Sequence, residues 1–141
     1  MNDRQPKNGE DFVLGSKATD LWLYTCHACA NDKIIPKKFR YTVGKSLMED
    51  AEFICSAIEE ANGIDLREDP EERLKLQKKA MVRCQMFQRK ISKMLTSADY
   101  PGITSQKAAT WTKLSLTVRY MCAAWHGKDK DRAGREKDVR R

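Results

Sequence analysis

PEERLKLQKKAMVRCQMFQRKISKMLTSA, residues 70–98, holds one helical period from end to end. Asp69 as N-cap, Pro70 in the first turn and the carboxylates Glu71 and Glu72 beside the positive helix end all favour a start here. At 100° per residue, Leu74, Leu76, Ala80, Met81, Cys84, Phe87, Ile91, Met94, Leu95 and Ala98 share one face, as a core-facing helix requires. The opposite arc carries Lys75, Lys78, Lys79, Arg83, Arg89, Lys90 and Lys93, interrupted only by Val82 and Met86.

Three further helices are expected around this one. The first begins near Thr19 or Asp20 and runs through Leu21, Trp22, Leu23 and Tyr24 to about Ala30. The second spans about Lys37 to Ala61, with Phe39, Val43, Leu47, Ala51, Ile54 and Ile58 at helical spacing and Asn62-Gly63 as its stop. Tyr100-Pro101-Gly102 marks a turn, and Thr104 or Ser105 caps a fourth helix ending near His126-Gly127. One face of that helix carries Trp111, Leu114, Val118, Met121, Cys122 and Trp125; a second carries Ala109, Leu116, Tyr120 and Ala123. The expected fold is all-α, an antiparallel up-down four-helix bundle over residues 18–127, with a flexible segment 1–17 and a disordered basic tail 128–141. A second apolar stripe exceeds what a monomeric bundle needs, so Leu116, Tyr120 and Ala123 are expected at a subunit contact.

No stretch approaches the roughly 20 apolar residues of a membrane span, and the N-terminus lacks the apolar core of a secretory signal. A soluble, cytoplasmic protein without membrane contact is the expectation. Five cysteines scattered through apolar segments read as reduced packing residues. Cys26-His27-Ala28-Cys29 has the look of half a zinc site, but no second ligand pair follows. The chain has no glycine-rich phosphate loop, nucleophile elbow or histidine-based triad. No cofactor and no catalytic activity are expected.

Charge is the informative property. The chain carries a net +7, distributed as +5 over residues 33–45, −6 over 59–72 and +8 over 73–98. Solvated helix faces usually interleave acids with bases at i,i+4; residues 73–98 contain no acid, a self-repelling arrangement that an anionic partner relieves. Lys37 and Lys38 fall at the first turn of the second helix, where free N–H groups reinforce anion binding, and Arg40 and Lys45 extend that patch. Nucleic acid is the expected ligand of both patches, with Val82 and Met86 reserved for a protein partner. The competing reading is a structural oligomeric interaction protein whose basic face meets an acidic protein surface. A cofactor-bearing bundle would need inward Glu-x-x-His pairs, which are missing.

Asp20-Leu21-Trp22-Leu23-Tyr24, then Ile35-Pro36-Lys37-Lys38-Phe39-Arg40-Tyr41-Thr42-Val43-Gly44-Lys45, then Val118 to Trp125, together resemble a known family. These runs are similar to the accessory variability determinant proteins of diversity-generating retroelements, and to the related ribosomal-intervening-sequence four-helix proteins. The resemblance spans about residues 19–128. It departs at Ala123-Ala124-Trp125, where the family usually has Gly-Gly-Trp, and in the chain beyond Gly127. It implies a barrel-like homopentamer that binds a reverse transcriptase and its template RNA and supports mutagenic copying into cDNA, with catalysis left to the partner.

Overall fold

The computed structural model describes the backbone of residues 4–140 and the side chains of residues 13–135. Four α-helices make up the described chain: α1 (Arg4–Ala30), α2 (Lys45–Asn62), α3 (Pro70–Leu95) and α4 (Ser105–Arg140), with no strand among the described residues. A 3-10 turn at Lys37–Phe39 and a π turn at Arg40–Gly44 lead into α2. No helix among the described residues is long and apolar enough to cross a membrane.

Contacts between ends fix the helix directions. The thiol of Cys29, late in α1, donates to the Gly44 carbonyl before α2 at 3.6 Å. Lys90, late in α3, reaches Ser46, early in α2. Arg73, at the start of α3, meets Asp129 far along α4, and Trp111, early in α4, donates to Thr25, late in α1. Each helix therefore runs antiparallel to its sequence neighbour and α1 closes on α4, an up-down bundle.

The core is built from one face of each helix. Leu21, Leu47, Ile54, Phe87, Ile91, Trp111 and Val118 are fully buried. The Trp111 ring meets Tyr24 and Phe87 edge-on at centroid separations of 5.8 and 6.0 Å. Its indole N–H donates to Thr25 Oγ1 at 3.0 Å, so this large side chain is buried with its one polar atom satisfied. At α3, Asp69 Oδ1 accepts from the Glu72 N–H, the expected N-cap, and Thr104 caps α4 by accepting from Lys107. The turn before α4 lies against the loop after α1, where a Cβ on Gly102 would stand 1.6 Å from the Lys33 carbonyl oxygen. Only glycine permits that approach.

Several expected boundaries move. Helix α1 starts at Arg4, not near residue 18, because Leu14 and Ala18 continue the buried stripe of Leu21, Thr25 and Ala28 at alternating steps of four and three. Thr19, expected as an N-cap, instead returns its hydroxyl to the Gly15 carbonyl inside the helix. Regular α-helix begins at Lys45 and not at Lys37, and α3 ends at Leu95 rather than Ala98. Helix α4 passes through Gly127 and continues to Arg140, so residues 128–140, expected as a disordered tail, are helical. The physical reason is Asp129. It falls on the core stripe of α4, and its carboxylate is 1 % exposed between Arg73 Nε and Gln77 Nε2, both at 2.7 Å. Unwinding at Gly127 would withdraw that carboxylate and leave the Arg73 guanidinium buried without its partner, at about 3–5 kcal/mol against the roughly 1 kcal/mol that glycine costs a helix interior. Residues 1–3 and 141 lie outside the described chain.

Candidate nucleic-acid interface

The outer arc of α3 points to solvent, as its spacing requires. Lys75, Lys78, Lys79, Arg89 and Lys93 are exposed. Arg83 and Lys90 are different: both turn toward α2 and grip Asp50, a carboxylate only 3 % exposed. Arg83 donates to Oδ1 at 3.3 Å, and Lys90 donates to Oδ2 at 2.7 Å and to Ser46 Oγ at 2.6 Å. The basic face is therefore not free of acid. The sequence of α3 alone hides this because the acid comes from α2. Arg73, counted in the same positive run, is likewise taken up by Asp129 and by the Ile64 carbonyl.

Arg83 has a second anchor. Its guanidinium carbon stands 4.1 Å from the centroid of the Phe53 ring, a cation–π stack. With Asp50 at one edge and Phe53 at one face, this planar group is held in place. Beside it, an open depression of about 770 Å³ runs over α3. Leu74, Val82 and Met86 line it together with Lys75, Lys78, Lys79 and, from α4, Lys130. Val82 is 55 % exposed and Met86 42 %, high values for apolar side chains in the middle of a charged face.

His126 lines the same depression, and its place is set from behind. The Gln77 amide nitrogen is committed to Asp129, so its carbonyl oxygen faces His126 Nδ1 at 3.0 Å. That arrangement assigns the proton to Nδ1 and leaves Nε2 an acceptor. Burial, then the ammonium groups of Lys78 and Lys130, hold the His126 pKa below its ordinary value of 6.5; Asp129 pulls the other way. His126, Lys130, Leu74 and Phe53 were not expected at this site. Finding Lys130 required knowing that α4 continues, and the only sequence signal was Asp129 in register with Trp111, Val118 and Cys122.

The patch before α2 is partly as expected. Lys37, Lys38 and Lys45 are exposed, with the Lys38 ammonium 5.2 Å from the Phe39 ring centroid. Arg40 is not available in the same way. It pairs with Asp32 and reaches the Ala30 carbonyl, tying the π turn to the C-terminus of α1. The two patches are not one: the Lys90–Ser46 contact puts Lys45 near the later half of α3, while Lys75, Lys78 and Lys79 lie toward the opposite end with His126 and Lys130. On α4, Tyr120 is 64 % exposed, Ala123 is exposed and Leu116 is half-buried, an apolar strip facing away from the core.

The cysteines pack. Burial pushes the thiols of Cys29, Cys84 and Cys122 up to about 12 and that of Cys55 to about 11, leaving them protonated and poorly nucleophilic at neutral pH. Among the described residues, no three His, Cys, Asp or Glu side chains converge as metal ligands. Comparison of the chain with family models, curated proteins and solved structures gives no match.

Proposed function

We propose that this chain is a non-catalytic nucleic-acid-binding subunit, the accessory protein of a diversity-generating retroelement that holds template RNA or cDNA for a reverse transcriptase. The observation that carries the reading is the outer arc of α3, where Lys75, Lys78, Lys79, Arg89 and Lys93 face water. Five like charges on one helix face repel one another, and a phosphate backbone relieves that repulsion while releasing counterions. Lys37, Lys38 and Lys45 supply a second contact for a strand that follows the bundle. The role within a retroelement, and the reverse transcriptase as partner, rest on the resemblance of the 20–24, 35–45 and 118–125 runs.

The same reading makes the chain one subunit of a closed homo-oligomer, pentameric by the resemblance, with Leu116, Tyr120 and Ala123 of α4 at the subunit contact. Leu116→Glu places a charge in that strip without touching the core. Light scattering is expected to find wild type as an oligomer and the variant as a smaller species; a monomeric wild type overturns the assembly.

Binding is tested with the purified chain and RNA alone, by fluorescence anisotropy. Binding without any other protein, falling steeply as salt rises, supports the nucleic-acid reading. Failure to bind RNA or DNA at low salt, with tight binding to an acidic protein surface, favours the rival interaction protein instead.

A further inference from the structure

We propose that the depression over α3 seats an unpaired nucleobase, so that this protein binds single-stranded nucleic acid in preference to duplex. The inference rests on the nucleic-acid reading above and goes further by naming the form of the ligand. A face that only tracked a phosphate backbone would need cations alone. This face places Leu74, Val82 and Met86 among its cations, and the last two are exposed. Burying them is favourable at about 25 cal/mol per Å². A double helix keeps its bases stacked inside and offers chiefly phosphate and sugar to an open, lysine-rich face such as this one. A single strand can turn a base inward.

Arg83 supplies the flat surface on which such a base would lie. Its guanidinium is stacked on Phe53 at 4.1 Å, held at its edge by Asp50 and still 31 % exposed where it lines the depression. Asp50, shared with Lys90, fixes the edge of the guanidinium, so Arg83 offers a held plane as well as a cation. Guanidinium planes and aromatic rings are the two platforms on which proteins stack unpaired bases, and stacking tolerates any base because every base has a π face. Lys75, Lys78, Lys79 and Lys130, which line the same depression, then meet the flanking phosphates, and Glu71, at the start of α3, would repel a strand at that end. A volume of about 770 Å³ lies within the roughly 300–1,000 Å³ of small-ligand sites. It is large enough to admit a base.

The test compares oligouridylate with an RNA duplex of the same length, for wild type, Arg83→Lys and the double variant Val82→Ser, Met86→Ser. Lysine at 83 keeps a cation beside Asp50 and removes the plane; the serine variant changes two exposed side chains and keeps the bundle intact should the lysine variant unfold. Wild type is expected to bind the single strand more tightly than the duplex. Each variant is expected to lose about five- to hundredfold in single-strand affinity, the range of one base stack, with duplex affinity and the salt slope unchanged. Equal affinity for the two RNAs, or single-strand affinity unaltered in the folded variants, overturns the stacking site and leaves the nucleic-acid reading standing. Binding of neither RNA overturns both. A glutamate-rich amphipathic peptide that binds more tightly than the single strand, and loses affinity in the serine variant, assigns the depression to a protein segment and contradicts the proposal.

Discussion

Lys79 and Lys90 are both lysines on the outer arc of α3, yet a glutamine has different consequences at each. Lys79 is exposed and lines the open depression. Lys90 holds Oδ2 of the buried Asp50 at 2.7 Å, leaving Arg83 at 3.3 Å as that carboxylate's other cation. Lys90→Gln is therefore expected to cost about 1–3 kcal/mol of unfolding free energy, the penalty of an undersatisfied buried acceptor, and Lys79→Gln less than about 0.5 kcal/mol. Urea unfolding of the two variants checks this, and equal midpoints would refute the role given to Asp50. His126 makes a second prediction at this scale. Burial and the facing Lys78 and Lys130 depress its pKa in the folded chain, against the opposing pull of Asp129. Its contribution to stability is complete well above pH 6.5, where folded and unfolded imidazoles are both neutral, and begins to fall as pH approaches that value. Below that pH the unfolded chain takes up the proton first, so stability falls until pH has passed the lowered folded value. Unfolding of wild type and His126→Gln between pH 7.5 and 5 is expected to diverge below 6.5, with the variant lacking this part of the loss. Parallel curves would contradict the assignment.

Helix α4 shows what the sequence made legible and what it concealed. Its start, its core face and its outer strip all follow from capping and from the spacing of Trp111, Val118 and Cys122, and the structure places them as that pattern requires. Its end does not follow. His126-Gly127 ahead of a charged run reads as a stop, because local propensity weighs glycine and charge without knowing that Arg73 waits across the bundle. Helix α1 is the converse case: a polar run before Thr19 conceals Leu14 and Ala18, two small contributions to the core that only the heptad spacing betrays. The candidate site divides along the same line. The lysines of α3 could be read from one helix, while the Asp50 clamp, the Phe53–Arg83 stack and Lys130 depend on pairing between helices. The α4 extension can be tested through its anchor. Asp129→Ala removes the carboxylate that Arg73 and Gln77 share, and the buried guanidinium left behind is expected to cost about 3–5 kcal/mol. Thermal unfolding measures it; a change of less than about 0.5 kcal/mol, the level of a surface substitution, would mean the extension is not fastened.

At the scale of the whole molecule, two groups of basic residues do different work. Arg73, Arg83 and Lys90 are spent on the buried carboxylates of Asp129 and Asp50, and Arg40 on the exposed Asp32, and all four tie elements together. Lys75, Lys78 and Lys79 have no such duty and stand around one depression, so they carry the claim that this surface meets a polyanion. Net charge alone would attract RNA weakly to any part of a +7 chain, and the claim is stronger than that. The direct measurement is the salt dependence of RNA affinity for wild type, for Lys75→Gln, Lys78→Gln, Lys79→Gln combined, and for a control with the same net charge, Lys17→Gln, Lys113→Gln, Lys128→Gln, whose lysines are exposed outside the depression. Each phosphate contact contributes about −0.7 to −0.9 to the slope of log affinity against log salt, so the α3 triple is expected to flatten the slope by roughly two units while the control follows wild type. If both triples change affinity and slope by the same amount, binding follows net charge alone and the α3 face is not the nucleic-acid interface.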